Sequence, residues 1–232
     1  MLPRDTYFYK WDDDLFTKDQ AIYEFLIDMS AGLVKGDVLD IGCGSRIYYD
    51  TSAVDRWVGI DLSPQLLENV RFLCETPPKG PIERVHGNCE QLDFDDETFE
   101  TVCSVFLLHH LGRTNRLQSR KVIVDVLKEA HRTLKPGGKM LVLESWPLGF
   151  LHLYGAMFGL LYPVAKKFLD MELPCFFSAK SFESMAVEAG YSKTHSLSVA
   201  LYEDNIWPVL NLKVPWWVQP LFHKYGVYIF VK

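Results

Sequence analysis

The chain has 232 residues, of which 48% are hydrophobic and 23% charged. That balance excludes a disordered chain, a collagen-like fibre and a disulfide miniprotein, and it suits one domain of generous size or one domain with a cap or lid. Lys and Arg total 24 against 30 Asp and Glu, a formal net charge of −6 with no basic block. A nucleic-acid partner is therefore not expected, because phosphates need a basic face.

The five cysteines, Cys43, Cys74, Cys89, Cys103 and Cys175, are scattered and form no C-x-x-C pair. A reducing compartment fits them better than a disulfide framework or a zinc ribbon. The first residues, MLPRDTYFYKWDDD, hold no apolar core of a secretory signal, so a cytoplasmic location is expected. The seven histidines show no metal-ligand spacing, and no metal is expected.

In chain order, Ile22, Phe25, Leu26 and Met29 recur at helical spacing. Thr17 with Gln20 reads as a capping-box start, and Gly32 as a stop. Val38-Leu39-Asp40-Ile41 reads as a buried strand running into a glycine turn. Trp57-Val58-Gly59-Ile60 is a second strand, and Leu66, Leu67, Val70 and Leu73 share one face of the helix expected after it. Strands follow at Ile82 to Val85 and, continuously apolar, at Thr101 to Leu108. Ile123, Val126, Leu127, Ala130 and Leu134 give the core face of a long helix, stopped by Pro136-Gly137-Gly138 before a fifth strand, Met140 to Leu143. Alternation of this length predicts right-handed crossovers and a doubly wound parallel sheet.

The last third differs. Residues 145–165 contain no Asp, Glu, Lys or Arg. Phe182, Met185, Ala186 and Ala189 then make a helical face ending at Gly190. Thr194 to Val199 and Tyr225 to Phe230 read as closing strands, with residues 204–220 between them unassigned.

Ligands of such sheets sit beyond the carboxyl ends of the strands. The first strand ends Asp40-Ile41-Gly42-Cys43-Gly44-Ser45, where two glycines let a ligand approach the backbone. The second ends Ile60-Asp61, an acid placed to accept hydrogen bonds from a ribose diol. A dinucleotide fingerprint would need a small residue where Ile47 stands, so a nucleoside ligand without a pyrophosphate is favoured over a nicotinamide dinucleotide.

The segment Val38 to Ser45 resembles the first motif of class I S-adenosylmethionine-dependent methyltransferases. Four further segments agree with that family in order and spacing: Gly59-Ile60-Asp61-Leu62-Ser63, Gly87 to Phe94, Phe99 to Leu111, and Leu134-Lys135-Pro136-Gly137-Gly138-Lys139. The set is similar to the small-molecule branch that includes the quinone-biosynthesis methyltransferases, strongly over residues 35–145 and weakly in the helix ending Glu188-Ala189-Gly190-Tyr191.

The resemblance implies a Rossmann-like, doubly wound, mostly parallel α/β sheet of seven strands, with an apolar lid inserted after strand five. One domain is expected over 1–232, with a helical cover (1–34), a cofactor core (35–145), the lid (146–175) and a closing helix and strands (176–232). It implies S-adenosylmethionine as cofactor and S-adenosylhomocysteine as product. Asp40 would steady the turn, with Gly42, Cys43, Gly44 and Ser45 along the methionine end. Asp61 would hold the ribose and Leu62 flank the adenine. Asn88 and the backbone of Cys89 would read the ring, and Ser104 and Val105 complete the methionine end. Three positions depart from the family: Arg46 stands where Gly is usual, Asn88 where Asp is frequent, and Glu100 where Asp is usual. Arg46 implies a reshaped turn or a short or irregular helix after it, and Ile47-Tyr48-Tyr49-Asp50 favours the second.

His109, His110 and Glu144 lie near strand ends and are the candidates for a catalytic base. Tyr7, Tyr9 and Trp11, with Trp146, Phe150, Tyr154 and Phe158 of the uncharged stretch, are the candidate substrate pocket. Pro and Gly within 145–165 argue against a bilayer span, leaving a lid first, then a dimer face or peripheral membrane contact. The expected partner is a small apolar or aromatic acceptor, methylated on O or C, with the protein a monomer or homodimer. The rival readings are a nicotinamide-dependent oxidoreductase and a non-catalytic relative that binds the cofactor.

Overall fold

A computed structural model describes residues 20–113, 115–146, 164, 175–199, 206–207, 212–213 and 224–232. Its elements are α1 (Gln20–Ser30), β1 (Gly36–Ile41), β2 (Arg46–Ile47), β3 (Val54–Asp61), α2 (Pro64–Glu68), β4 (Arg71–Phe72), β5 (Ile82–His86) and β6 (Phe99–Val105). A 3-10 turn at Leu108–His110 leads to α3 (Arg116–Thr133), β7 (Leu134–Trp146), α4 (Ala179–Glu188), β8 (Lys193–Val199), β9 (Ile206–Trp207), β10 (Leu212–Lys213) and β11 (Lys224–Val231).

Seven strands form one sheet in the order β5-β3-β1-β6-β7-β11-β8. The pairs from β5 through β7 are parallel, and β11 runs antiparallel to both β7 and β8. The chain moves outward from β1 to β3 and β5, then returns to place β6 on the other side of β1. The β1/β6 boundary is thus the switch point of the sheet, where carboxyl ends diverge and leave a crevice for a ligand. β9 and β10 form a separate two-residue ladder within the stretch that the sequence left unassigned.

Strand alternation divides the core between the two faces. Leu39, Ile41, Val58, Ile60 and Val102 pack with Ile123, Leu127 and Ala130 of α3 and with Phe182 and Met185 of α4. Val38, Trp57, Cys103, Leu141 and Leu143 point the other way, toward Leu26 of α1 and toward Tyr48 and Tyr49. The caps explain where α3 and α4 begin. Asn115 accepts from the Gln118 N–H at 2.9 Å, and Ser178 from Ser181, satisfying amides that have no partner in the first turn.

Four expectations need correction. No helix follows the glycine turn: Arg46–Ile47 are extended and pair in parallel with Arg71–Phe72. The helix expected to carry Leu66, Leu67, Val70 and Leu73 stops at Glu68, because the chain beyond it becomes the partner that β2 requires, with Arg71 N–H on Ser45 O and Leu73 N–H on Ile47 O. The strand read as Thr101 to Leu108 ends at Val105, where Phe106 takes a φ of 55° and turns the chain over the sheet. Strand and helix also fail to alternate between β5 and β6, which are joined by a loop over 87–98. The side chain of Arg132 ties down that loop, donating to the carbonyls of Leu92 (2.9 Å) and Phe94 (2.7 Å) and to Asp96. The Thr17 cap, the N-terminal aromatics and nearly all of the uncharged stretch lie outside the described residues.

Candidate functional site

The carboxyl end of β1 turns sharply through Gly42 and Gly44, with φ of 62° and 59°. A Cβ at position 42 would also lie 2.4 Å from the Leu107 side chain, which would have to shift to admit it. At Gly44 a Cβ would meet nothing within 4 Å, so this backbone faces open space. The turn is docked on β3 by the N–H groups of Gly42 and Cys43, both donating to Ile60 O.

Asp61, at the end of β3, is aimed at this turn. One carboxylate oxygen accepts from the Gly44 N–H and the other from the Ser63 N–H, each at 2.9 Å. Ser63 also caps α2, so the acid is held between two backbone donors. Leu62 beside it is 58% exposed, a large apolar side chain at the rim. Across β5, the Asn88 side-chain oxygen accepts from the Glu90 N–H at 3.0 Å and turns the loop at the same end of the sheet. Cys43 and Cys89 are buried. Burial raises both thiols, Cys43 far up and Cys89 to about 12, which keeps them protonated packing groups and not nucleophiles.

Asp40 is engaged by a route that the sequence did not reveal. Trp57 Nε1–H donates to the Tyr49 hydroxyl, which donates to Asp40 Oδ2, both at 2.8 Å. All three residues are buried. The chain of two bonds occupies the place where a helix was expected after the turn, and aromatic bulk from Tyr48 and Tyr49 covers this face of the sheet. Asp40 Oδ1 has no hydrogen-bond partner among the described residues, and neither has the buried hydroxyl of Ser104. Burial, then the charge of Asp61, push the Asp40 carboxyl up to about 7 against the pull of Tyr49. The departure at Glu100 also has a structural reason: its longer side chain reaches the Asp37 N–H at 2.7 Å and Lys135.

On the other side of the switch point, two of the three candidate bases meet. Glu144 near the end of β7 is 1% exposed. Its oxygens contact the Leu108 N–H and His109 Nδ1, each at 2.6 Å. The His110 ring lies beside His109, with centroids 4.0 Å apart. His109 also stacks on Phe176 (5.5 Å, 15°), and its carbonyl accepts from the Cys175 N–H at 2.8 Å. Of the expected substrate pocket, only the backbone of Trp146 is described, paired with Lys224. Tyr7, Tyr9, Trp11, Phe150, Tyr154 and Phe158 lie outside the described residues. Among the described residues, no group of three or more His, Cys, Asp or Glu could hold a metal ion, and no helix is long and apolar enough to cross a membrane.

Residues 39–142, which carry the turn, Asp61, the loop and β6, match the Methyltransferase domain family. The core is thus similar to a methyltransferase domain. A demethylmenaquinone methyltransferase of Bacillus cereus is 30% identical to the chain over 150 residues, covering 61% of this chain and 58% of that protein. The chain thus spans less than two thirds of the curated relatives it matches. The domain shares its fold with a methyltransferase of Haloferax volcanii solved in complex with the Trm112 methyltransferase activator (TM-score 0.61, 16% identity, 98% of this chain and 94% of that one). Phosphoethanolamine N-methyltransferase 2 of Haemonchus contortus, solved in complex with S-adenosyl-L-methionine, is a further neighbour (TM-score 0.59, 15% identity, 98% of this chain and 57% of that one). The chain shares its fold with these proteins through a seven-stranded, mostly parallel sheet, and an extended, aromatic segment follows its glycine turn.

Proposed function

We propose that the chain binds S-adenosylmethionine at the glycine turn and catalyses transfer of its methyl group to a small apolar or aromatic acceptor, on oxygen or carbon. The observation that carries this reading is the Asp61 carboxylate, fixed by the Gly44 and Ser63 amides. An acid at the end of the second strand is the group that accepts from ribose hydroxyls in nucleotide-binding sheets of this kind. The residues around it fit the rest of such a ligand. Gly44 presents backbone to open space, Leu62 offers an apolar side chain to a flat ring, and Asp40 Oδ1 is a buried polar atom lacking a partner among the described residues. Asn88 and the Cys89 amide would read the adenine edge, and the backbone at Ser104 and Val105 would border the methionine end.

The extended Arg46–Ile47 segment supports a nucleoside over a dinucleotide. A pyrophosphate is normally held by the N-terminus of the helix that follows the glycines, and here that position is a strand. When bound, S-adenosylmethionine supplies a methyl group already activated by a positive sulfonium. The chain's own residues then have to hold the acceptor behind that methyl, orient it and exclude water. The apolar or aromatic acceptor is supported by the uncharged stretch at residues 145–165 and by relatives named as demethylmenaquinone methyltransferases.

The test is transfer of a tritiated methyl group from S-adenosylmethionine to a panel of phenols, quinols and aromatic carboxylic acids. The proposal expects label in an extractable product from at least one phenol or quinol. S-adenosylhomocysteine bound without labelling of any acceptor would replace it with the reading of a binding protein without transferase activity.

A further inference from the structure

We propose that His109 and Glu144 form a dyad that removes the acceptor's proton, with His109 Nε2 as the base and Glu144 as its positioning residue. This rests on the methyltransferase reading above. The juxtaposition that carries it is a fully buried carboxylate with both oxygens committed, one to the Leu108 N–H and one to His109 Nδ1, each at 2.6 Å.

A carboxylate is an acceptor only, so the Nδ1 contact places the ring proton on Nδ1 and leaves the Nε2 lone pair available. The backbone bond from Leu108 makes the arrangement rigid, because the two groups that Glu144 holds, the Leu108 N–H and the His109 ring, belong to the same short turn. The register explains why the two residues meet. Val105 stands opposite Leu143, so Glu144 is the next residue of β7 beyond the last paired residue of β6, beside the turn that carries His109. The ring is fixed on a second side by stacking on Phe176, and its own carbonyl is tied to Cys175. The histidine side chain keeps 12% of its surface exposed while the glutamate keeps 1%. His109 is therefore the member that can touch an acceptor, and Glu144 acts through it.

The dyad lies at the carboxyl end of β6, across the switch point from Asp61. That is the side left for an acceptor if the nucleoside occupies the β1–β3 end. For a hydroxylated aromatic the proton step balances as follows. The acceptor's O–H bond breaks and its proton goes to His109 Nε2. The electron pair left on oxygen forms the new bond to the methyl carbon, while the old carbon–sulfur pair stays on sulfur. Glu144 offsets the imidazolium charge until the proton leaves to water. An acceptor that is already an anion at neutral pH would not need the base.

That difference supplies the test. Imidazole nitrogens of the full-length protein would be read in long-range proton–nitrogen spectra, with His109 assigned by loss of its signals in His109→Gln. Wild type is expected to carry the proton on Nδ1, and Glu144→Gln is expected to lose that preference. A wild-type ring protonated on Nε2 alone would overturn the proposal. In parallel, tritiated methyl transfer would be compared between 2-naphthol, a neutral phenol at pH 7, and pentafluorophenol, an anion at that pH. His109→Gln is expected to lose at least 100-fold on naphthol and under 10-fold on pentafluorophenol; equal losses on both would contradict a base. Calorimetric binding of S-adenosylhomocysteine separates the two proposals: unchanged binding with equal losses defeats the dyad alone, whereas no binding to wild type defeats the methyltransferase reading beneath it.

Discussion

The two sides of the β1/β6 switch point are built by different means. The β1–β3 side is built mostly from backbone: two glycines with positive φ, docking amides on Ile60, and one carboxylate held by the amides of Gly44 and Ser63. Behind it stands the buried relay from Trp57 through Tyr49 to Asp40. On the β6–β7 side the contacts run between side chains or from side chain to a short turn, with Glu144 gathering His109 and Leu108. The first arrangement suits a ligand whose shape never varies. The second fixes one histidine ring beside a turn set by inter-strand register. A cofactor shared by many enzymes and an acceptor peculiar to one would make such different demands.

The comparison breaks most visibly at Tyr49. Tyr49→Ala removes a fully buried ring and strands two polar partners, and should cost about 3–5 kcal/mol in denaturant unfolding. It should leave the His109 ring proton on Nδ1, since that dyad stands on the other side of the switch point. A smaller effect is expected at Asp40, with a definite sign. Its carboxyl titrates at about 7 in the folded chain against 3.8 as the ordinary value, so the folded state retains a proton that the unfolded state has lost. The contribution of Asp40 is thus fullest below pH 4 and is lost as pH rises towards 7. Asp40→Asn should accordingly gain stability relative to wild type across that window, by a few kcal/mol at about 1.4 kcal/mol per unit, and the gain should level off above pH 7. Unfolding curves of both proteins from pH 4 to 8 check it; a constant difference would contradict it. The smallest change is expected at Arg132, whose guanidinium is partly exposed. Arg132→Ala frees the Leu92 and Phe94 carbonyls and should cost about 1–2 kcal/mol, with a severalfold loss of S-adenosylhomocysteine affinity because Asn88 sits on the same loop.

Much of the β1–β3 side was legible because its signals are local. A short apolar strand, a glycine pair and an acid ending the next strand each lie within a few residues, and together they point to a nucleotide-type ligand. The same local reasoning expected a helix after the turn and a long helical face through Leu73. Both failed for one cause: Arg46–Ile47 and Arg71–Phe72 complete each other as strands, a pairing that links residues distant in sequence and overrides helical periodicity. Tyr48-Tyr49 in place of small helix-compatible residues was the available signal, but its partners Asp40 and Trp57 could not be read from spacing. His109, His110 and Glu144 were all legible as candidates at strand ends. Which histidine takes the glutamate depends on the turn after Phe106 and on β6–β7 register, and only the three-dimensional arrangement decides that.

The central claim is that the turn and Asp61 together hold the nucleoside part of S-adenosylmethionine. Calorimetric titration of wild type and Asp61→Ala with S-adenosylhomocysteine tests it most directly. The account predicts saturable one-site binding to wild type and at least a tenfold loss in the variant, with the variant folded as judged by its unfolding transition. Equal affinity in the two proteins, or no binding to wild type, would contradict it.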